Sequence, residues 1–283
     1  MENNIGKLYL VPTPIGNLGD ITIRALEVLK EVDLIAAEDT RHTLKLLNHF
    51  EIKKSLLSYH QHNENEKSLE IIALLRKGKN IAVVSDAGTP GISDPGSILA
   101  QRCILEGIHF EVLPGASAVI TALVHSGLDT TMFLFRGFLP REEKNRLKII
   151  EDLVDRRETL IFYEAPHRLL STLKFLLNNL GNRKISICRE LTKLHEEILR
   201  KSLEEAVSFY EINPIRGEYV LVIQGKSEEE INKEAISKWE NLSIKDHILS
   251  YMNEGDTKKE AMKKVSCDRK IPKSEVYKYS FEL

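Results

Sequence analysis

The sequence has few cysteines and no long apolar run, and each shortage excludes a class of protein. The 283 residues include three cysteines, Cys103, Cys188 and Cys267, an odd number with no C-x-x-C spacing. We therefore expect reduced thiols in a cytoplasmic protein, without a disulfide framework or a zinc site. No run of about 18 apolar residues occurs, and the first residues, MENNIGKLYLV, lack the regions of a signal peptide. The sequence thus predicts neither secretion nor a membrane span.

Familiar catalytic and phosphate-binding motifs are also missing. The chain has no G-x-G-x-x-G, no glycine loop followed by Lys-Ser/Thr, no G-x-S-x-G nucleophile elbow, no H-E-x-x-H and no zinc-deaminase signature. These absences argue against dinucleotide binding and against the common hydrolase mechanisms. His60 and His62 lie two residues apart without a matching series of cysteines or carboxylates, so we predict no metal there. The net charge is −2, so a nucleic-acid partner would need a local basic patch.

Short apolar, β-branched runs alternate with amphipathic segments in the first part of the chain. This alternation is typical of a mostly parallel α/β sheet with right-handed crossovers. We predict strands over 8–11, 34–37, 56–59, 81–84 and 110–113. We predict helices over 22–30, 44–50, 69–77 and 98–106.

A second series of strands follows the Ser126-Gly127 pair. We predict them over 132–135, 160–163, 185–188, 195–199 and 219–223. Consecutive strands that can form hairpins near the end indicate a mixed sheet. We therefore predict two α/β domains, an N-terminal one over 1–116 and a C-terminal one over 117–226, with a helical extension over 227–283.

The extension is dense in charge and contains no strand pattern. Residues 257–278 hold eight basic and three acidic side chains. Ala261 and Val265 recur at helical spacing, and Pro272 restarts a second helix. Two readings stay open, a basic helix-turn-helix-like appendage that contributes to RNA binding and a solvated tail that packs on the body.

The segment 80–96, NIAVVSDAGTPGISDPG, is the most informative part of the chain. A buried-type strand runs into a loop rich in glycine and proline that carries Asp86 and Asp94. Ligands of open α/β sheets bind beyond the carboxyl ends of the strands, where glycines let the backbone approach. We expect Asp94 to cap the next helix, with Pro95 in its first turn. An acidic glycine loop suits a nucleoside or a cationic ligand better than a pyrophosphate, although a plain turn without a ligand is the alternative.

Other polar residues also follow predicted strands. Glu38, Asp39, Arg41 and His42 crowd together after the second strand, which suggests acid/base chemistry and a phosphate contact, although Thr40 could simply cap a helix and leave Arg41 and His42 exposed. The segments 162–168 and 189–193 combine carboxylates with basic groups in the second series of strands. Both fit a cleft between the two domains.

Taken together, these loops resemble the methyltransferases of the tetrapyrrole-methylase fold, and within them the ribosomal RNA small-subunit methyltransferase I group. The matching segments run from about residue 7 to 226. They are LYLVPTPIGNLGDITIRALEVL (8–29), AAEDTRHT (36–43), SDAGTPGISDPG (85–96), LPGASA (113–118), GFLPR (137–141), LIFYEAPHR (160–168), RELTKLHEE (189–197) and RGEYVLVI (216–223).

The resemblance implies a class III methyltransferase fold, a homodimer, and S-adenosylmethionine bound in the cleft between the domains. It also implies transfer of a methyl group to the ribose 2′-hydroxyl of a cytidine in the decoding region of 16S ribosomal RNA, as free RNA or within the small subunit. The donor site carried over from the group consists of Pro12, Asp86, Ala87, Gly88, Ile92, Ser117, Ala118, Leu139, Tyr163 and Leu191.

A ribose hydroxyl is a weak nucleophile, so a nearby group must accept or stabilise its proton. The available carboxylates are Glu38, Asp39 and Glu190, which the sequence does not rank, with Arg41 and Lys193 as electrostatic partners. Two other functions stay open. A small-molecule methyltransferase acting on a tetrapyrrole precursor would share the fold, but the basic extension argues against it. A non-catalytic RNA-binding assembly factor is disfavoured by the intact acidic loop.

Overall fold

The N-terminal part of the chain forms a parallel sheet of five strands. A computed structural model describes residues 5–227, 230, 239 and 242–279. The strands are β1 (Leu8–Leu10), β2 (Leu34–Ala37), β3 (Ser55–Ser58), β4 (Ile81–Val84) and β5 (Phe110–Val112). Their order is β3-β2-β4-β1-β5, and all neighbours are parallel. The five predicted strands are confirmed to within one residue at each end.

Helices connect these strands and cover both faces of the sheet. They are α1 (Ile23–Glu31), α2 (Thr40–His49), α3 (Glu64–Arg76) and α4 (Ser97–Leu105), with a 3-10 helix at Leu18–Asp20. Successive side chains of a strand point to opposite faces. In β4, Ile81 and Val83 pack with α3 and α4, whereas Ala82 and Val84 pack with α1 and α2. Burial on both faces explains the continuous apolar run of this strand.

The second sheet is mixed, as the sequence predicts. Its strands are β6 (Phe133–Phe138), β7 (Thr159–Glu164), β8 (Lys184–Arg189), β9 (Glu197–Ser202) and β10 (Tyr219–Ile223). The order is β6-β7-β10-β8-β9, with β6 parallel to β7 and the other pairs antiparallel. One face packs on α5 (Ala118–Ser126). The other face packs on α6 (Glu143–Glu151), α7 (Leu169–Leu180) and α8 (Leu203–Ile212).

Three helices form a separate small core near the end of the chain. They are α9 (Ile244–Asn253), α10 (Lys258–Asp268) and α11 (Lys273–Tyr277). The last two correspond to the predicted pair, and Thr257 begins α10 with a capping box that includes Glu260. Ile248, Ala261 and Val276 are fully buried against one another. The extension therefore has its own apolar core, which favours the reading as a folded appendage, whereas the domain boundaries at 116 and 226 stay predictions.

The predicted cap of α4 is wrong. The helix begins at Ser97, its N-cap residue is Gly96 with φ of +139°, and Asp94 makes no capping bond. The backbone N–H of Gly91 donates to the carbonyl of Pro95 at 3.2 Å, which closes a tight loop before the helix starts. Asp94 is thereby left to face a cavity.

The burial of α4 generates a stability prediction. Leu99 is fully buried, whereas Leu105 on the same helix is 84% exposed. We expect Leu99→Ala to lower the free energy of unfolding by about 2–5 kcal/mol, because it leaves a cavity in the core. Leu105→Ala serves as the matched control, with a change within about 0.5 kcal/mol. Urea unfolding followed by circular dichroism measures both, and equal losses would contradict the packing described.

Candidate active site

The loops after β1 and β4 are joined by a pair of backbone hydrogen bonds. The N–H of Thr13 donates to the carbonyl of Gly88 at 2.9 Å, and the N–H of Gly88 donates back at 3.0 Å. The Thr13 hydroxyl also donates to the carbonyl of Ser85 at 3.0 Å. Gly88 adopts φ of +86°, a backbone conformation that disfavours other residues. The two loops are therefore held as one unit at the carboxyl edge of the first sheet.

A loop of the second sheet packs closely on this unit. A Cβ atom at Gly16 would lie 2.4 Å from Cγ of Lys193 and 2.8 Å from the carbonyl oxygen of Leu191. Only glycine leaves room for this approach. The segment after β8 thus closes over the strand ends of the first sheet.

A cavity of about 480 Å³ lies where the two sheets meet. This volume is within the usual range for small-molecule and cofactor sites. It takes in residues from the loop after β4, the start of α5, and the facing ends of β7, β8 and β10. Its lining includes Ile15, Glu38, Asp86, Ala87, Gly88, Thr89, Ile92, Asp94, Ser117, Ala118, Phe138, Tyr163, Glu164, Leu191 and Glu218.

Among the carboxylates that line this cavity, Glu38, Asp86 and Asp94 lie close together, and the acidity of Glu38 and Asp94 is altered. Burial, reinforced by the charges of Glu38 and Asp86, raises the pKa of Asp94 to about 7. Burial and the charge of Asp86 also raise the pKa of Glu38. Asp86 accepts a hydrogen bond from the backbone N–H of Asp39 at 3.0 Å, which fixes its position. Like charges brought together in a half-buried site favour a cationic ligand, which would neutralise them.

Asp39 and Arg41 lie outside the cavity lining and are bound to each other. Asp39 is the N-cap residue of α2 and accepts from the backbone N–H of Arg41 at 2.8 Å. The Arg41 guanidinium also donates to both Asp39 oxygens, at 3.1 and 2.8 Å. The hydrogen bonds from the Arg41 side chain and backbone hold the pKa of Asp39 far below its usual value.

Glu190 and Lys193 belong to an ionic cluster on the opposite wall. The Lys193 ammonium donates to Glu190 at 3.0 Å and to Glu218 at 2.7 Å. Burial acts to raise the pKa of Glu190, but the hydrogen bonds from the Glu218 backbone N–H and from Lys193 lower it overall. Glu190 has φ of +51°, and a Cβ at Gly217 would lie 2.6 Å from its Cγ. Backbone strain and close packing therefore hold this carboxylate in one position.

Aromatic rings form the wall next to Asp94. Tyr163 contacts Phe135 and Phe138 edge to face, with ring centroids 4.9 and 5.6 Å apart. Burial and the nearby Asp94 charge raise the pKa of Tyr163 to about 12. The phenol is therefore protonated at neutral pH, so Tyr163 offers the cavity an apolar face and a hydroxyl donor.

Eight of the ten sequence-predicted donor residues line the cavity. The other two lie outside its lining. Pro12 supports the wall, because a Cβ at Gly115 would lie 2.5 Å from its Cβ. Leu139 is buried in the core of the second sheet, and its carbonyl accepts from Arg168 at 2.6 Å.

Several lining residues were missed by sequence reasoning. They are Ile15, Thr89, Phe138 and Glu218. All lie in or next to segments that carried the resemblance, but the pattern shows no direction for their side chains. Ser117 is the N-cap residue of α5, but its side chain makes no capping hydrogen bond. Ser117 instead lines the cavity.

Within the residues that the structure describes, no helix is long and apolar enough to cross a membrane. The same residues contain no group of three or more His, Cys, Asp or Glu side chains able to hold a metal ion.

Comparison with known proteins decides the family. Residues 7–207 match the family model of the tetrapyrrole (corrin/porphyrin) methylases. The chain belongs to this family. A relative from Bacillus subtilis, "Ribosomal RNA small subunit methyltransferase I", is 49% identical over 98% of this chain and 94% of its own length. A relative of the same name from Halalkalibacterium halodurans is 52% identical over 96% and 93%. These relatives confirm the group to which the sequence shows a resemblance.

Solved structures show the same fold at low sequence identity. Diphthine synthase aligns with a TM-score of 0.62 and 15% identity, covering 78% of this chain and 91% of that one. Uroporphyrin-III C-methyltransferase from Thermus thermophilus, complexed with S-adenosyl homocysteine, aligns with a TM-score of 0.55 and 19% identity, covering 77% and 97%. The class III methyltransferase fold is confirmed, and so is S-adenosylmethionine as the methyl donor of this family.

The residues of the cavity fit this donor. A sulfonium ion is a cation without phosphates, and Glu38, Asp86 and Asp94 supply negative charge without a phosphate-binding loop. Ser117, whose side chain makes no capping bond, and the other residues at the start of α5 offer polar contacts to a nucleoside.

The acidity of Asp94 generates a prediction about donor binding. Its carboxyl loses a proton between about pH 6 and 8, since its pKa lies near 7. The charged form attracts the sulfonium, so we expect the Kd of S-adenosylmethionine to fall as pH rises through this window, by up to about tenfold. Calorimetry measures the profile.

Two controls separate this effect from others. Asp94→Asn should flatten the profile, and S-adenosylhomocysteine, which lacks the sulfonium charge, should show a weaker dependence on pH. The assignment fails if Asp94→Asn keeps the wild-type profile.

Proposed function

We propose that the protein methylates the ribose 2′-hydroxyl of a cytidine in the decoding region of 16S ribosomal RNA, with S-adenosylmethionine as donor. The supporting observation is the acidic cavity between the two sheets, in a chain about half identical to relatives named ribosomal RNA small subunit methyltransferase I. The basic side chains over 257–278 offer a local patch for an RNA partner. The homodimer stays a prediction of the resemblance, and the cytoplasmic location stays a prediction from the cysteine content.

Positioning supplies most of the catalysis in this proposal. When bound, the donor supplies an electrophilic methyl group: the bond from methyl to sulfur breaks, a bond to the ribose oxygen forms, and the hydroxyl proton is released. The protein holds the reactants in line and keeps water away from them. The joined loops at Thr13 and Gly88 and the close contact at Gly16 provide a rigid wall for this purpose.

Among the three candidate carboxylates, Glu38 is best suited to accept the proton. It lines the cavity and its pKa is raised, which makes it a stronger base than an ordinary carboxylate. Asp39 is occupied as the cap of α2 and by Arg41. Glu190 is hydrogen-bonded to Lys193 and has a lowered pKa. Lys193 lies on the cavity wall, where its charge stabilises negative charge that develops on the hydroxyl oxygen.

Methyl transfer can be tested directly. The protein is incubated with methyl-labelled S-adenosylmethionine and either protein-free small-subunit RNA or assembled small subunits, and the labelled nucleotide is mapped. We expect label on a 2′-hydroxyl of a decoding-region cytidine. Label on a base, or label only on a tetrapyrrole precursor offered in parallel, would overturn the proposal. Donor binding without transfer to any acceptor would favour the assembly-factor alternative.

The assignment of Glu38 gives a second prediction. Glu38→Gln should lower the single-turnover rate of methyl transfer by about 10²–10⁴-fold, because it removes the proton acceptor. Because Glu38 also contributes negative charge to the donor cavity, donor affinity should fall as well, but by less than the rate, which is measured at saturating donor. Asp39→Asn is the matched control, since asparagine also caps helices well, and it should cost less than about tenfold. If Asp39→Asn lowers the rate more than Glu38→Gln does, Asp39 is the proton acceptor. If both variants lower the rate only slightly, the proton is accepted by Glu190 or by solvent.

A further inference from the structure

A second cavity lies beside the donor cavity. Its volume is about 490 Å³. It is formed by the loop after β1, one face of α2, the segment after β4, and two residues of the second sheet. The lining consists of Thr13, Pro14, Ile15, Gly16, Leu18, His42, Thr43, Lys45, Leu46, Ser85, Asp86, Ala87, Lys193 and Glu218.

The two cavities share a wall. Ile15, Asp86, Ala87, Lys193 and Glu218 line both of them. The backbone N–H of Asp86 also lies 3.5 Å from Oε2 of Glu38, so the proposed proton acceptor adjoins the shared wall. A displacement at carbon needs donor and acceptor to meet in line, and two adjoining cavities meet that requirement.

The two cavities differ in charge. Glu38, Asp94, Glu164 and Glu190 line the donor cavity alone. The side chains that line only the second cavity include no carboxylate, and they include Lys45 and His42. Asp86, Glu218 and Lys193 line both cavities, so the second cavity is not positive throughout. Its α2 side carries Lys45 and His42 without a carboxylate, and this side suits a phosphate.

Lys45 and His42 are placed together by the helix that carries them. They are three residues apart on α2 and so share one face. Both are exposed, whereas Thr43 and Leu46 beneath them are 2% and 7% exposed. The helix itself is fixed at its start by Asp39, whose N–H is bound to Asp86. A lysine ammonium and an imidazole thus stand at the rim of this cavity, above the buried Thr43 and Leu46.

We propose that the second cavity receives the acceptor nucleotide of the RNA, and that Lys45 and His42 bind a phosphate next to the ribose that is methylated. This inference rests on the proposed function. The sequence suggests a phosphate contact for Arg41, but Arg41 is bound to Asp39 and lies outside both cavities. We therefore assign this contact to Lys45 and His42, which follow Arg41 on α2.

Neutralising Lys45 tests the proposal. We expect Lys45→Met to raise the KM for small-subunit RNA about tenfold, as expected for the loss of a charged contact, with kcat and the Kd of S-adenosylmethionine little changed. The slope of log affinity against log salt should become shallower by about 0.7–0.9, the contribution of one phosphate contact. Lys45→Arg, which keeps the charge, should restore most of the affinity. His42→Ala should raise the KM about threefold, because it removes one hydrogen-bonding contact to the phosphate.

Lys30→Met is the matched control, because Lys30 is an exposed lysine on α1 outside both cavities. It should leave the KM and the salt slope as in the wild type. If Lys45→Met behaves like Lys30→Met while the wild type methylates RNA, the second cavity is not the acceptor site and the proposed function still stands. If the wild type transfers no methyl group to RNA, the proposed function fails and this inference fails with it.

Discussion

The pair of hydrogen bonds between Thr13 and Gly88 fixes the geometry on which both cavities depend. β1 and β4 are parallel neighbours in the sheet, and a separate antiparallel bridge joins their loops beyond the strand ends. The loops after both strands therefore have fixed positions, although neither has regular structure. Asp86 follows β4 in this unit and accepts from the backbone N–H of Asp39, and Gly16 lies where the segment after β8 packs closely on the unit. This unit lines one side of each cavity, so the rigidity of the unit fixes one wall of both cavities.

The carboxylates of the donor cavity lower the stability of the unliganded protein but favour binding of a cationic donor. Glu38, Asp86 and Asp94 are partly buried close together, and the repulsion between their charges is unfavourable for the folded chain. Retaining a proton on Asp94 near neutral pH reduces that repulsion. A bound cation reduces it further, so the same carboxylates that weaken the unliganded protein increase its affinity for a sulfonium.

The sequence predicts the elements better than it predicts the site. β2 and β4 match their predicted ranges, because residues buried on both faces give a continuous apolar run. The predicted cap at Asp94 is wrong, whereas the donor contact predicted for Leu139 stays a prediction although this residue lies outside the cavity lining. A capping role for Asp94 follows from local pattern, but the glycines around it delay the helix. Leu139 lies in a matching motif, yet its side chain turns into the core. The closure of the two sheets depends on contacts between distant segments, such as Gly16 with Lys193, that no local pattern reveals.

The two cavities are built from different parts of the fold, which is relevant to how one fold can accommodate different methyl acceptors. The donor cavity is built from strand ends of both sheets, where a change in one residue disturbs the core. Lys45 and His42 line the second cavity from the outer face of α2, where both are exposed next to the buried Thr43 and Leu46. Side chains at such positions can change with little cost to stability. In the proposed arrangement, the acceptor would be contacted by exposed residues of α2, whereas the donor would be held by residues at the strand ends of both sheets.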